Sequence, residues 1–542
     1  MKPFLAAFAS ILLTPVVSAS PQHSFPSEWK MQTDASTVSL RGENYQKLMH
    51  YDTWLDNRHF EAAKQQITMA GESRVDQQLT HNWQQLQQVN FSLASAENRQ
   101  LFANALLYVY RYKESMKQVG VDWFFQPDSK KKQKVTLLED SDQAKALNQA
   151  LKLNQLATFI EQQQSHFDQF QQMAAVKDHF NTLADVSWPM VTEPVRVVRD
   201  NDPLQSAEQI IDILTLLGDI SAEQAQQLKD LHLTYLSAEL QEHIRVFQRR
   251  HGLFVDGIIG PKTLAWLNAS IEKRQQLLAL NMLRLSLWPE DKKGIVVVNV
   301  PAFEMDVWVD EKRVFETRVI VGRPSRQTPI FITRLDSIVF NPGWNIPVTI
   351  MQEDIIPKAK RDENYLPSKG YQVLQNWSAD SPVIPPQEID WQAVNPKHFP
   401  YRMRQPPGNS NALGRYKFNT PNDMAIYLHD TPGKSLFNRE NRSLSSGCVR
   451  VEHAGKFAEK LLTLSKKNPK DFEYLQKNEG EIKTKAISLR LKLPVHMIYQ
   501  TAWVDETGNV NFRSDIYDFD QPVIETDIRQ TVRNSQKTVA NL

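Results

Sequence analysis

The sequence predicts a multidomain α+β protein, helical in its first half and β-rich in its second. Three observations carry this. The chain has 542 residues, too many for one ordinary hydrophobic core, so two or three domains are expected. Apolar residues recur at helical spacing in the first half, and from about Gly294 they alternate with polar ones. A stretch from 350 to 407, rich in Pro, Asn and Lys, separates strands that belong to one sheet and reads as an inserted subdomain or lid.

At the N-terminus Lys2 precedes an apolar run from Phe4 to Val17, followed by the small residues Ser18 and Ala19, so 1–19 reads as a signal peptide with a mature chain starting near Ser20. The run is shorter than the ~20 residues of a spanning helix, and Pro15 interrupts it. Mean hydropathy is −0.47 and no later segment is apolar enough to cross a bilayer, so no stable membrane span is expected after cleavage. Lys and Arg number 63 against 62 Asp and Glu. That balance offers no footprint for nucleic acid, and the basic run Lys130 to Lys134 reads as a solvated loop.

Residues 27–203 read as a helical scaffold, with Leu101, Ala105, Tyr108 and Tyr112 at helical spacing behind a Ser95 cap and a second pattern through Leu147, Leu151, Leu156, Phe159 and Ile160. A denser helical module follows at 204–270. There Leu240, Ile244 and Phe247 face one way, Gly252 closes the helix, Asp256-Gly257 turns the chain and Gly260-Pro261 restarts it, with Leu264 and Leu267 on the buried face. Strands are expected at 295–300, 303–309, 314–321, 337–340, 424–428 and 495–504, and a helix at 454–464. These form a β-rich domain over 294–520, ahead of a C-terminal tail at 521–542.

The only cysteine, Cys448, cannot form an internal disulfide, although exported chains often use cysteines in pairs. It lies in IYLHDTPGKSLFNRENRSLSSGCVRVEHAGKF, 19 residues after His429. A thiol attacks acyl carbons as thiolate, and with a free pKa near about 8.5 it needs a base or a positive charge nearby. His429 is the candidate base. Ser445, Ser446 and Gly447 let the backbone bend, so that the N–H groups of Gly447 and Cys448 form the expected oxyanion hole. His398, His429, His453 and His496 are scattered with no HExxH or CxxC pattern, so no metal or other cofactor is expected.

The run FQRRHGLFVDGIIGPKTLAWL is similar to the repeat of peptidoglycan-binding modules. VGRPSRQTPIF at 321–331, PPGNSNALG at 406–414, YLHDTP at 427–432 and SSGCVR at 445–450 together resemble the L,D-transpeptidases with YkuD-type catalytic domains. With the helical scaffold, the module and the insertion, the chain looks like the large, YcbB-like members, whose insertion serves as a capping subdomain. The resemblance implies that Cys448 attacks a tetrapeptide stem, expels D-alanine and holds a thioester that the amine of an acceptor stem resolves into a 3→3 cross-link. It also implies a periplasmic address, a role in cell-wall biogenesis and cell shape alongside other wall-synthesis enzymes, and acylation by carbapenems. His429 is then oriented by the backbone carbonyl of Asp430. Arg450 binds a stem-peptide carboxylate or braces the loop. Many members carry histidine before the Gly-Cys pair where this chain has Ser446, so no role for that side chain carries over. Tyr427 and Asn411 border the cleft with packing and turn duties. A cysteine hydrolase or carboxypeptidase of stems, and a non-catalytic wall-binding scaffold, are the alternatives.

Overall fold

The computed structural model describes residues 51–520 except 55, 120–145, 147–148, 151, 163–167, 194–196, 287, 289–293, 379 and 477–482. The expected signal peptide, the Lys130 run, Leu147, Leu151 and the C-terminal tail lie outside the described residues. The fold is multidomain α+β: a helical body holding the 204–270 module, and a large sheet with a smaller sheet inserted in it. No described helix is long and apolar enough to cross a membrane.

In the helical body, side-chain caps set where several helices start. Asp56 and Asp76 cap Asn57–Glu72 and Gln77–Gln88, Ser221 closes a capping box on Ala222–Asp230, and Ser237 caps Ala238–Arg250. In Ala96–Val119, Ala105 and Tyr112 are buried as expected, but Leu101 and Tyr108 are half-buried, while Phe102, Leu106 and Val109 reach the core. The stripe is wider than the spacing suggested because this helix packs on both Asn57–Glu72 and Gln77–Gln88.

In the module, Leu240, Ile244 and Phe247 are fully buried. Gln248 reads the following turn: its Oε1 accepts from the N–H groups of Asp256 and Gly257 at 3.1 and 2.8 Å, and its Nε2 donates to Ile258 O at 2.9 Å. Pro261 occupies the first turn of Pro261–Leu267, where its missing N–H costs nothing.

The β-rich half contains β1 (Ile295–Asn299), β2 (Glu304–Val309), β3 (Lys312–Gly322), β4 (Ile332–Arg334) and β5 (Ser337–Phe340). The insertion supplies β6 (Trp344–Asn345), β7 (Gln372–Leu374), β8 (Val383–Ile384) and β9 (Arg402–Gln405). After it come β10 (Tyr416–Asn419), β11 (Leu428–His429), β12 (Ser443–Ser445) and β13 (Val449–Val451). β14 (Lys485–Ser488), β15 (Pro494–Ile498), β16 (Ala502–Val504) and β17 (Val510–Phe512) complete the set. The large sheet runs β14-β5-β10-β11-β13-β3-β2-β1-β15-β4 with β12 beside β3, and the inserted sheet runs β6-β9-β7-β8. The inserted sheet has its own core, from Ile346 to Met403.

Two expected strands are shorter. The one at 424–428 shrinks to β11, because Asn422 Oδ1 accepts from the N–H groups of Met424 and Ile426 and Ala425 takes φ +56°. The one at 495–504 breaks between β15 and β16, which pairs with β17 instead. This last hairpin joins the core of the helical body. Arg250 donates to Val510 O at 2.7 Å and pairs with Asp219 at 2.5 Å, Arg513 donates to Arg250 O at 2.9 Å, and Asn281 donates to Thr501 Oγ1 at 2.9 Å.

Asp219 and Arg250 are both buried, and burial pushes the Asp219 carboxyl up against the pull of Arg250. Arg250→Ala, which leaves that carboxylate alone, is expected to cost about 3 to 5 kcal/mol of stability in urea unfolding, with part recovered in Arg250→Ala/Asp219→Ala. Equal stability of wild type and the single variant would mean that the pair does not hold the hairpin.

Candidate active site

Strand alternation builds the site. β10, β11 and β13 lie side by side, with Phe418 opposite Leu428 and Leu428 opposite Val449. These three side chains are fully buried, and Phe418 meets Phe457 of the helix Ala454–Leu464 with ring centroids 4.6 Å apart. The next rung therefore points to the other face. There Lys417 stands opposite His429, and His429 opposite Arg450. Tyr427 and Cys448, two positions before His429 and Arg450, belong to the same side.

His429 is buried, and its Nδ1 is 2.5 Å from the carbonyl oxygen of Asp430. This sets the tautomer with the proton on Nδ1 and leaves Nε2 as the basic nitrogen. The Asp430 carboxylate points elsewhere: Oδ2 accepts from Arg415 N at 2.9 Å, and Oδ1 from Lys434 Nζ. Gly414, at φ +60°, permits this, since a Cβ there would lie 2.6 Å from Oδ2.

Cys448 is half-buried and unpaired. Its Sγ lies 3.7 Å from Ala425 O and interacts with the Tyr427 hydroxyl. Among the described residues no hydrogen bond joins Sγ to the imidazole. The loop before it is tightly held: Thr328 Oγ1 donates to Gly447 O at 2.7 Å, and Ser445 Oγ donates to Cys448 O at 2.6 Å. Gly447 takes φ +112°, a conformation that side chains rarely adopt.

The amides expected to form the oxyanion hole differ from each other here. Gly447 N–H is donated to Ser445 Oγ at 3.1 Å, whereas Cys448 N–H has no acceptor among the described residues. In this state the loop is satisfied internally through Ser445, so only the Cys448 amide is free, and a two-amide hole requires the Ser445 bond to be given up.

Burial sets the protonation states. It lowers the His429 pKa to about 3, helped by the positive charges of Arg450 and Lys417 and opposed by the hydrogen bond to Asp430. Burial also raises the Cys448 thiol, while Tyr427, Lys417 and Arg450 pull it back down. The resting pair is therefore a thiol and a neutral imidazole.

The insertion reaches this site twice. Arg326 Nη1 donates to Ser446 Oγ at 3.1 Å and to Asp354 Oδ2 at 2.5 Å, and its Nη2 pairs with Glu353. Both carboxylates sit on the π-helical turn Met351–Ile355 of the insertion. Trp344 of β6 interacts with the hydroxyl of Tyr427.

The structure thus brings Cys448, His429, the Asp430 carbonyl and Arg450 onto one face. Asn411 is buried, and its side chain donates to the carbonyls of Gln405 and Pro406, a turn duty. His496 is buried against Trp288, away from this row, and no cluster of metal-ligating side chains occurs among the described residues. Sequence reasoning missed Lys417 and Arg326. The signal for Lys417 was a lysine between Tyr416 and Phe418 in a strand whose other face is apolar. Arg326 lies in the motif VGRPSRQTPIF, but nothing in the motif pointed to its partners, 27 and 28 residues away in the insertion.

Residues 293–482 match the family model of the YkuD L,D-transpeptidase catalytic domain. The chain carries an L,D-transpeptidase catalytic domain. A second model, described as "Putative peptidoglycan binding domain", matches 224–267 upstream of this transpeptidase domain. A curated relative from Haemophilus influenzae, named "Putative L,D-transpeptidase", is 42% identical over 252 residues, covering 46% of this chain and 49% of the relative. The chain thus spans about half the length of the curated relative it matches. Two solved structures are similar to parts of it. An L,D-transpeptidase from Mycobacterium smegmatis is 11% identical, with 38% of this chain and 58% of that one covered and a TM-score of 0.18. An L,D-transpeptidase (Yku) from Stackebrandtia nassauensis is 16% identical, with 58% and 97% covered and a TM-score of 0.22. Overlap this low carries no argument about the transpeptidase site.

Because burial holds the Cys448 thiol up, alkylation by iodoacetamide in the substrate-free protein is expected to rise with pH through a midpoint above the free-cysteine value of about 8.5. A rate already level below pH 8 would mean that the thiolate is preformed.

Proposed function

We propose that the protein is a periplasmic L,D-transpeptidase that forms 3→3 cross-links between peptidoglycan stems. The observation that carries this reading is the placement of Cys448 and His429 on one sheet face, with the Asp430 carbonyl on His429 Nδ1. The donor is a tetrapeptide stem. Cys448 sulfur bonds to the acyl carbon of the third residue while His429 takes the thiol proton. The C–N bond to D-alanine then breaks, and His429 returns the proton to the departing amine. The amine of an acceptor stem next attacks the thioester, losing a proton to His429, and the sulfur leaves and is reprotonated. The Cys448 amide stabilises the oxyanion at each stage, joined by the Gly447 amide once it turns from Ser445.

The same thioester chemistry accounts for the expected acylation by carbapenems. The module at 224–267 holds the enzyme on its polymeric substrate, and 1–19 directs export and is removed. In this reading the product serves wall biogenesis and cell shape beside other wall-synthesis enzymes.

The test is muropeptide analysis with intact mass after incubating purified protein with tetrapeptide-bearing fragments. Wild type is expected to release D-alanine and form 3→3 dimers, and Cys448→Ala to form none. Tripeptide without dimer would make the enzyme a hydrolase, and wall binding without any cysteine-dependent product would leave a scaffold.

The insertion is the proposed cap that keeps water from the thioester, and Arg326 ties it to Ser446 beside the nucleophile. Arg326→Gln is expected to raise the ratio of tripeptide to dimer by roughly fivefold, the factor that about 1 kcal/mol represents. An unchanged ratio in the same digests would separate the clamp from the choice between amine and water.

A further inference from the structure

Beside the nucleophile, the sheet presents two cations to His429. Lys417 and Arg450 flank His429 across three adjacent strands. Neither has a carboxylate partner among the described residues. Lys417 Nζ rests 4.3 Å from the centre of the Tyr427 ring, and the buried Arg450 Nε has no hydrogen-bond partner. The nearby carboxylates are committed elsewhere: Asp430 to Lys434, Glu452 to Arg318, and Glu353 and Asp354 to Arg326. Burial works against both charges, pulling each group below its usual range. Charged groups are not left unpaired in partly buried positions without cost, so an anion belongs between them in the working complex.

We propose that Lys417 and Arg450 form a carboxylate-binding pair over His429, and that the ligand is the C-terminal carboxylate of the residue expelled from the donor peptide. The identity of the ligand rests on the transpeptidase reading above; the pair itself does not. Such a carboxylate lies one residue beyond the acyl carbon that Cys448 attacks, within about 3.8 Å of chain. Arg450 is two positions from Cys448 on the same face, about 6 to 7 Å along the strand, and its long side chain covers the part of that distance that the carboxylate's offset leaves.

The pair also explains how a weak base serves the reaction. The groups facing Cys448 and His429 are Tyr427, Lys417 and Arg450, and the two cations help depress His429 to about 3. A bound carboxylate offsets both positive charges and makes the imidazole a better proton acceptor only when substrate is seated. The empty site lacks that help.

The experiment alkylates Cys448 in the full-length protein with neutral iodoacetamide and with anionic iodoacetate, against a cysteine peptide at the same pH. The ratio of the two rates cancels any change in thiolate fraction. The wild-type ratio of iodoacetate to iodoacetamide is expected to exceed the peptide's by roughly tenfold, the effect of one good charge-assisted contact. Lys417→Met should bring it close to the peptide's value, and Lys417→Arg should retain most of it. A wild-type ratio no higher than the peptide's overturns the pair without any variant, so misfolding of Lys417→Met cannot shelter it. A folded Lys417→Met that keeps the wild-type ratio removes Lys417 from the pair. In a second arm, a donor peptide with its C-terminal carboxylate amidated should show a raised KM with wild type and little further change with Lys417→Met; equal KM for the two peptides in wild type overturns the ligand's identity. Absence of product from either peptide overturns the transpeptidase reading while the alkylation ratio still decides the pair.

Discussion

The register between β10, β11 and β13 is the constraint on which the rest of the site depends. A strand places successive side chains on opposite faces, so the rung Phe418, Leu428, Val449 and the rung Lys417, His429, Arg450 must lie on opposite sides of the sheet. The first is buried against the helix Ala454–Leu464, which locks the second toward the cleft. A one-residue slip in β11 would send His429 into the apolar core and Leu428 into the site. The energy of hydrophobic burial thus decides where the imidazole points, before any hydrogen bond to it is made.

Electrostatics then work within that frame. The sulfur and the imidazole share a low-dielectric face where both prefer to be neutral, and the cations beside them act in opposite senses. Lys417 and Arg450 favour the thiolate but disfavour the imidazolium that would form with it. One charge distribution cannot serve both partners in the empty site, so the resting state is neutral. The Asp430 carbonyl supplies the compensation that the fold itself provides, stabilising the protonated ring through Nδ1.

Distant parts of the chain are joined through buried arginines. Arg250, Arg284 and Arg513 bind backbone carbonyls at Val510, Phe519 and Arg250, so the end of the catalytic half is built into the core of the helical body. The peptidoglycan-binding module is therefore fixed to the catalytic half through the hairpin of β16 and β17. Arg326 plays a related part at the other side, joining the insertion to the loop that carries the nucleophile.

Much of this was legible in the chain. Hydrophobic periodicity separated the helical half from the β-rich half, because burial acts locally through spacings of 3.6 and 2. The solitary Cys448 after three small residues, with His429 behind an apolar run, marked the site, since few backbones and few side-chain types can make a reactive thiol. Long-range pairing was not legible. Nothing in the spacing said that Lys417 would stand beside His429, that Ser445 would engage the Gly447 amide, or that carboxylates in the insertion would meet Arg326. Asn422 also curtailed a strand that apolar residues had suggested, because a side-chain amide offered the backbone a competing hydrogen bond. The sequence by itself determined the elements and the chemical types at the site; only the tertiary structure decided which of them face one another, because strand register and the path of the insertion depend on contacts between residues far apart in the chain.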